Sequence, residues 1–147
     1  MIEGGRKAKE AGFEYSLYVL LGAGGEDRWE PHARGTATVL NQIDPHFIRV
    51  RTLIPQPNCP MHEDMLAGRF RLPGPETILR ETRLLLEELN VNSEFVSDHV
   101  SNLLPLHGRL PDAKERMIRM IDEALQEMKE DGLLWEEMEA GRHLTNL

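Results

Sequence analysis

The sequence predicts an α/β fold: a βαβ core with parallel strands, helices packed outside it, and a helical C-terminal part. Three observations carry that reading. Tyr15 to Asp27 (YSLYVLLGAGGED) has no polar residue from Leu17 to Leu21, and glycines follow at once. A run that short, bounded by glycine, reads as a strand buried on both faces, as in a parallel sheet. A second apolar run, Phe47 to Ile54, returns after one helix length. Strand, helix, strand in that order gives parallel pairing through a crossover. The third observation is a pair of amphipathic helices late in the chain, from Glu76 to Leu89 and from Asp112 onward.

The chain opens on a helix, Ile2 to Ala11, stopped by Gly12, with Phe13 leading into the first strand. Gly22, Gly24 and Gly25 fall where that strand ends. Glycine there admits positive φ and lets a ligand approach the main chain closely. Ligands of α/β folds sit at the carboxyl ends of the strands, so these three are the first candidate binding residues. Asp27 and Glu30 suit a helix start, and Pro31 suits a first turn. Ala33, Thr36, Ala37, Leu40 and Ile43 recur at helical spacing, and Asp44-Pro45 ends the helix.

In the second strand Arg49 and Arg51 alternate with Ile48, Val50 and Thr52. One face therefore meets polar surroundings or a ligand, and a carboxylate or phosphate is the natural partner of a guanidinium. A solvated strand face is the alternative. Pro55, Pro57 and Pro60 force an irregular loop, then a short helix spans Met61 to Ala67 and Gly68 closes it. Arg69 to Leu72 reads as extended linker, and Pro73-Gly74-Pro75 introduces the next helix. Its stripe is Ile78, Leu79, Thr82, Leu85, Leu86 and Leu89; Glu76, Arg80, Glu81, Arg83, Glu87 and Glu88 are assigned to water. Asn90 to Ser97 turns into a short strand or extended segment, and Asp98 to Pro111 reads as a polar, turn-rich loop. The last helix buries Met117, Met120, Ile121, Ala124, Leu125 and Met128, and Gly132 interrupts it. Residues 1–132 form one domain on this reading, with 133–147 as a C-terminal tail.

Composition narrows the function classes. The 147 residues carry 25 acidic and 17 basic side chains, a net charge of −8. That balance argues against non-specific nucleic-acid binding, which needs basic surface to neutralise phosphate. The single cysteine, Cys59, excludes an internal disulfide, and no cysteine cluster or zinc site can be built from this chain alone. The six histidines fall at no metal-ligating spacing, so no metal site is expected. No apolar run approaches membrane-spanning length, and Met1 to Ala11 is charged rather than signal-like. The expected compartment is cytoplasmic, with no membrane partner.

Three landmarks then line up: LYVLLGAGGED, VLNQIDPHFIRVRTLIPQPNCPMHEDMLAGRF and SDHVSNLLPLHGRLPDAKERMI. Together they resemble the C-terminal half of radical S-adenosylmethionine proteins of the kind labelled Fe–S oxidoreductase. In that subgroup an Asn-His-x-Ser-Asn stretch precedes a Pro-Leu-x-Gly-x-Leu-Pro turn; Asp98 stands here for the usual Asn. The resemblance covers most of the chain, and its specificity lies in the combination. It implies the C-terminal part of a partial (β/α) barrel, with a [4Fe–4S] cluster and S-adenosylmethionine held at the strand ends. The family's Cys-x-x-x-Cys-x-x-Cys loop is absent from this sequence. Cys59 falls where the family has the threonine of a Pro-Gly-Thr-Pro turn, and Asn58 where it has the glycine.

The resemblance implies that Gly22, Gly24 and Gly25 lie against the cofactor and that Leu53 and Ile54 lie near its adenine. Arg49 and Arg51 would face substrate. His99, Ser101 and Asn102 would contact substrate or fix their loop by hydrogen bonds. Both cofactors belong to the full-length parent, and neither is expected to bind tightly to this chain, which is not catalytic alone. Its partner would be an N-terminal, cluster-bearing half or a second copy. The alternative is a free-standing, inert module that docks on a partner chain.

Overall fold

The structure is a computed structural model that describes residues 1–130. Its elements in order are α1 (Ile2–Glu10), β1 (Ser16–Leu21), α2 (Trp29–Ile43), β2 (Phe47–Thr52) and α3 (Pro60–Leu66). Then come α4 (Pro75–Glu88), β3 (Glu94–Ser97), β4 (Leu106–Arg109) and α5 (Lys114–Glu130). The strands make one open sheet in the order β1-β2-β3-β4. β2 pairs parallel with β1 and with β3, and β4 runs antiparallel beside β3. The α/β class, the parallel βαβ core and the C-terminal helix are as expected from the sequence. Gly132 and the tail 133–147 lie outside the described residues.

Register decides which side chains meet the helices. Val19 and Leu21 of β1 align with Val50 and Thr52 of β2, and Ile48 aligns with Phe95 of β3. These residues point to one face and are buried there with Ala37 and Leu40 of α2, Ile78, Leu79, Leu85 and Leu86 of α4, and Met117 and Ile121 of α5. Each fully buried Leu, Ile or Phe contributes about 1.5–3 kcal/mol, so this one-sided layer supplies most of the cohesion. α4 lies between α2 and α5 and touches both.

Three expectations from the sequence are corrected. β1 is not buried on both faces: Tyr18 is 63% and Leu20 44% exposed, alternating with buried Val19 and Leu21. An uninterrupted apolar run normally means two covered faces, but the described helices cover only one face here. Glu81, assigned to water, is fully buried in α4. The segment Asp98 to Pro111 is not all loop, since Leu106–Arg109 forms β4. An antiparallel return needs only a short connection, and the prolines at Pro105 and Pro111 flank the strand without interrupting it.

Candidate functional site

The glycine loop joins β1 to α2. Gly22 and Gly25 hold φ of +82° and +68°, a region that disfavours a side chain. Close packing adds a second reason. A Cβ on Gly24 would stand 2.7 Å from the Arg28 carbonyl oxygen and 2.8 Å from His32 Cβ, in the first turn of α2. A Cβ on Gly25 would meet Phe70 at 3.0 Å and the Arg71 carbonyl oxygen at 3.1 Å. The space beside these two glycines is thus taken by the chain itself.

Beneath the loop, Glu81 accepts the Gly22 N–H at 2.8 Å through Oε2 and contacts His32 Nδ1 at 2.5 Å through Oε1. With the carboxylate ionised, the imidazole is the donor. A buried carboxylate with two donors is tolerated where an unpaired one is not. Glu26, in the same loop, accepts the Gly74 N–H at 3.3 Å and the Thr77 hydroxyl at 2.8 Å, and so ties the start of α4 to the loop. Gly24, Gly25, Arg28, His32, Arg69 and Arg71 wall a pocket of about 440 Å³. Its charges are largely internal: Arg71 pairs with Asp27 and Arg69 with Asp64. The hydrogen bond from Arg71 holds the Asp27 carboxyl below its ordinary value.

Leu53 and Ile54 stand half-buried at the adjacent strand end, where the Leu53 N–H donates to the Leu21 carbonyl at 2.9 Å. They sit at the same edge of the sheet as the glycines but do not line the pocket that Gly24 and Gly25 line. The structure therefore brings the five expected cofactor residues to neighbouring strand ends without gathering them in one cavity.

His99, Ser101 and Asn102 pin the loop before β4 to the end of β2. Ser101 is buried, and its Oγ accepts the Thr52 N–H at 3.1 Å. Asn102 Nδ2 donates to the Val50 carbonyl at 2.8 Å and to Ser97 Oγ at 2.9 Å, while its Oδ1 accepts from Thr52 Oγ1 at 3.1 Å. His99 Nδ1 accepts the Ser101 N–H at 3.2 Å and lies 2.8 Å from Ser101 Oγ. An accepting Nδ1 places the proton of the neutral ring on Nε2, which is the one side-chain polar atom of the trio with no partner among the described residues. Loop fixing accounts for Ser101 and Asn102.

No family model, curated protein or solved structure matches the chain. Its residues therefore speak for themselves. Arg49 and Arg51 lie on the sheet face opposite the helices, away from the glycine pocket. Cys59 is half-buried at the start of α3, and no cluster of three metal-ligating side chains occurs among the described residues. No described helix is long and apolar enough to cross a membrane.

Sequence reasoning passed over the His32–Glu81 pair and the arginines of the glycine pocket. Glu81 had a legible signal, being three residues after Ile78 and four before Leu85 on the apolar stripe of α4. The convergence of Arg28, Arg69 and Arg71 had none, because it depends on how the linker after α3 folds back over the loop.

Proposed function

We propose that this chain is the C-terminal portion of a cytoplasmic radical S-adenosylmethionine enzyme. It would contribute the surroundings of the cofactor's adenine and a substrate loop, and it would not be catalytic alone. The observation that supports this reading is the one-sided sheet. β1 has the composition of a strand covered on both faces, yet Tyr18 and Leu20 stand open and the outer edge of β1 has no strand beside it among the described residues. A front half of a barrel would cover that face and pair with that edge.

The residues present do not fit the cluster. A [4Fe–4S] centre needs several thiolates, and Cys59 is the single cysteine of the chain. The cluster-bearing residues would belong to an N-terminal half, and no chemical step is assigned to this chain. For S-adenosylmethionine, the contacts on offer are the Gly22–Gly25 backbone and the apolar side chains of Leu53 and Ile54. Binding to the chain alone should be weaker than about 6 kcal/mol. Titration calorimetry giving a low-micromolar constant would contradict the proposed division between the halves.

The direct test is the reading frame immediately upstream. A Cys-x-x-x-Cys-x-x-Cys segment there, co-expressed with this chain and reconstituted anaerobically, should give a complex that, with dithionite as reductant, cleaves S-adenosylmethionine to methionine and 5′-deoxyadenosine. An upstream frame without the cysteines would favour the second reading, a free-standing module that docks on a partner chain. The specific support for that second reading is internal. Packing and backbone conformation already explain the glycines, and the hydrogen bonds of Ser101 and Asn102 are already spent.

A further inference from the structure

On the sheet face turned from the described helices, Tyr18 and Leu20 of β1 align with Arg49 and Arg51 of β2. Val96, which is buried, and His107 follow beyond Arg49 on β3 and β4, and Glu94 and Arg109 follow beyond Phe47. Each arginine leans on a ring rather than a carboxylate. Arg51 Cζ is 5.1 Å from the centroid of Tyr18, and Arg49 Cζ is 5.9 Å from that of Phe47. Arg49 Nε also donates a long hydrogen bond, 3.4 Å, to Ser16 Oγ. Neither guanidinium has a carboxylate within 4.0 Å among the described residues, a state they share with Arg6, Arg28, Arg109, Arg116 and Arg119. Glu94, the acid that the described strands place on this face, is 3.1 Å from His107 Nε2.

Two cations on one strand face, two residues apart, have their backbones separated by only about 7 Å. They repel each other, and ring contacts return only about 0.5–1 kcal/mol at exposed sites. A single oxyanion between them would relieve the repulsion and use the planar donor forks that guanidinium presents. We propose that Arg49 and Arg51 form an oxyanion site on this open face, taking a small carboxylate or phosphate ligand whose apolar body lies over Tyr18 and Leu20. A second copy stacked face to face would set arginine against arginine, which disfavours it as the occupant. The inference rests on the half-barrel reading only for calling this ligand the substrate, because that reading places the face inside the barrel.

The test is an NMR titration of the isotope-labelled full chain with benzoate, phenyl phosphate and, as the neutral probe, benzyl alcohol. Benzoate, phenyl phosphate or both should saturably shift the amides of Ser16 to Leu21 and Phe47 to Thr52, and benzyl alcohol should not. Which anion binds more tightly names the headgroup. Arg49→Gln and Arg51→Gln should each weaken binding about tenfold while the rest of the spectrum overlays the parent's. Arg119→Gln, at an exposed position of α5, should leave binding unchanged. Absent saturable shifts, equal binding of benzyl alcohol, or full affinity in both glutamine variants would overturn the proposal. The titration needs no cysteine-bearing half, so its failure and a failed co-expression are separate results.

Discussion

At the residue scale, Glu81 shows how one carboxylate can hold a loop. It is fully buried, and both its oxygens are engaged, by the Gly22 N–H and by His32 Nδ1. Glu81→Ala leaves an amide and an imidazole without their acceptor, which costs about 1–3 kcal/mol for each group left unsatisfied. Glu81→Gln keeps the shape and one acceptor, so it should cost less, about 1–2 kcal/mol. Urea unfolding of the two variants measures the difference. Losses below about 0.5 kcal/mol in both would mean that the loop does not depend on this group.

Asp44 gives the pH-dependent counterpart. It sits at φ +49° after α2, bonded to Lys9 Nζ at 2.6 Å and to the Asn92 N–H at 2.7 Å. Burial pushes its carboxyl up, but the Lys9 and Asn92 hydrogen bonds outweigh that and leave it below the ordinary value of 3.8. A lowered folded-state value means that the charged form stabilises the fold above the unfolded value. That contribution is lost as pH falls through the folded one. Asn tolerates the same backbone region, so Asp44→Asn removes mainly the charge. The parent should melt above the variant at neutral pH, and the gap should narrow as pH falls below the ordinary value of 3.8. A gap that persists in acid would assign the effect to shape rather than charge.

At the scale of elements, the sheet is locked at the end of β2 by side chains from the β3–β4 connection. Asn102 reaches Val50, Ser97 and Thr52 at once. Asn102→Ala should therefore cost about 1–3 kcal/mol and speed amide exchange at the end of β2. Exchange confined to β4 would place the lock elsewhere. The helices and the β1–α2–β2 unit were legible because a 3.6-residue stripe and short apolar runs are local signals. β4 was not, because Leu106, His107, Gly108 and Arg109 show no alternation strong enough to outweigh the flanking prolines. The single-sided burial of β1 was illegible for a different reason: the composition of a strand reports how many faces could be covered, not what covers them. The alternation of Arg49 and Arg51 with Ile48 and Val50 matches the burial along β2, while Glu81 was hidden by its charge.

At the scale of the whole molecule, the sheet ends on β1 with its outer edge unpaired among the described residues. Beside that edge a groove of about 580 Å³ runs between β1 and α2, lined by Leu17, Val19, Val39, Leu40 and the start of the chain at Met1. Apolar area removed from water is worth about 25 cal/mol per Å², and an open edge offers ladder hydrogen bonds to any extended strand. The arginines on the open face disfavour stacking of two copies, but edge pairing would keep them apart. We therefore expect the isolated chain to associate through β1 as its concentration rises. Light scattering across a dilution series should show mass above 16.8 kDa at the concentrated end. Leu20→Lys, a charge placed on the edge strand, should shift that rise to higher concentration with little loss of stability, because Leu20 is already exposed. A mass of one chain at every concentration, unchanged by the lysine, would show that the edge is closed without a second strand.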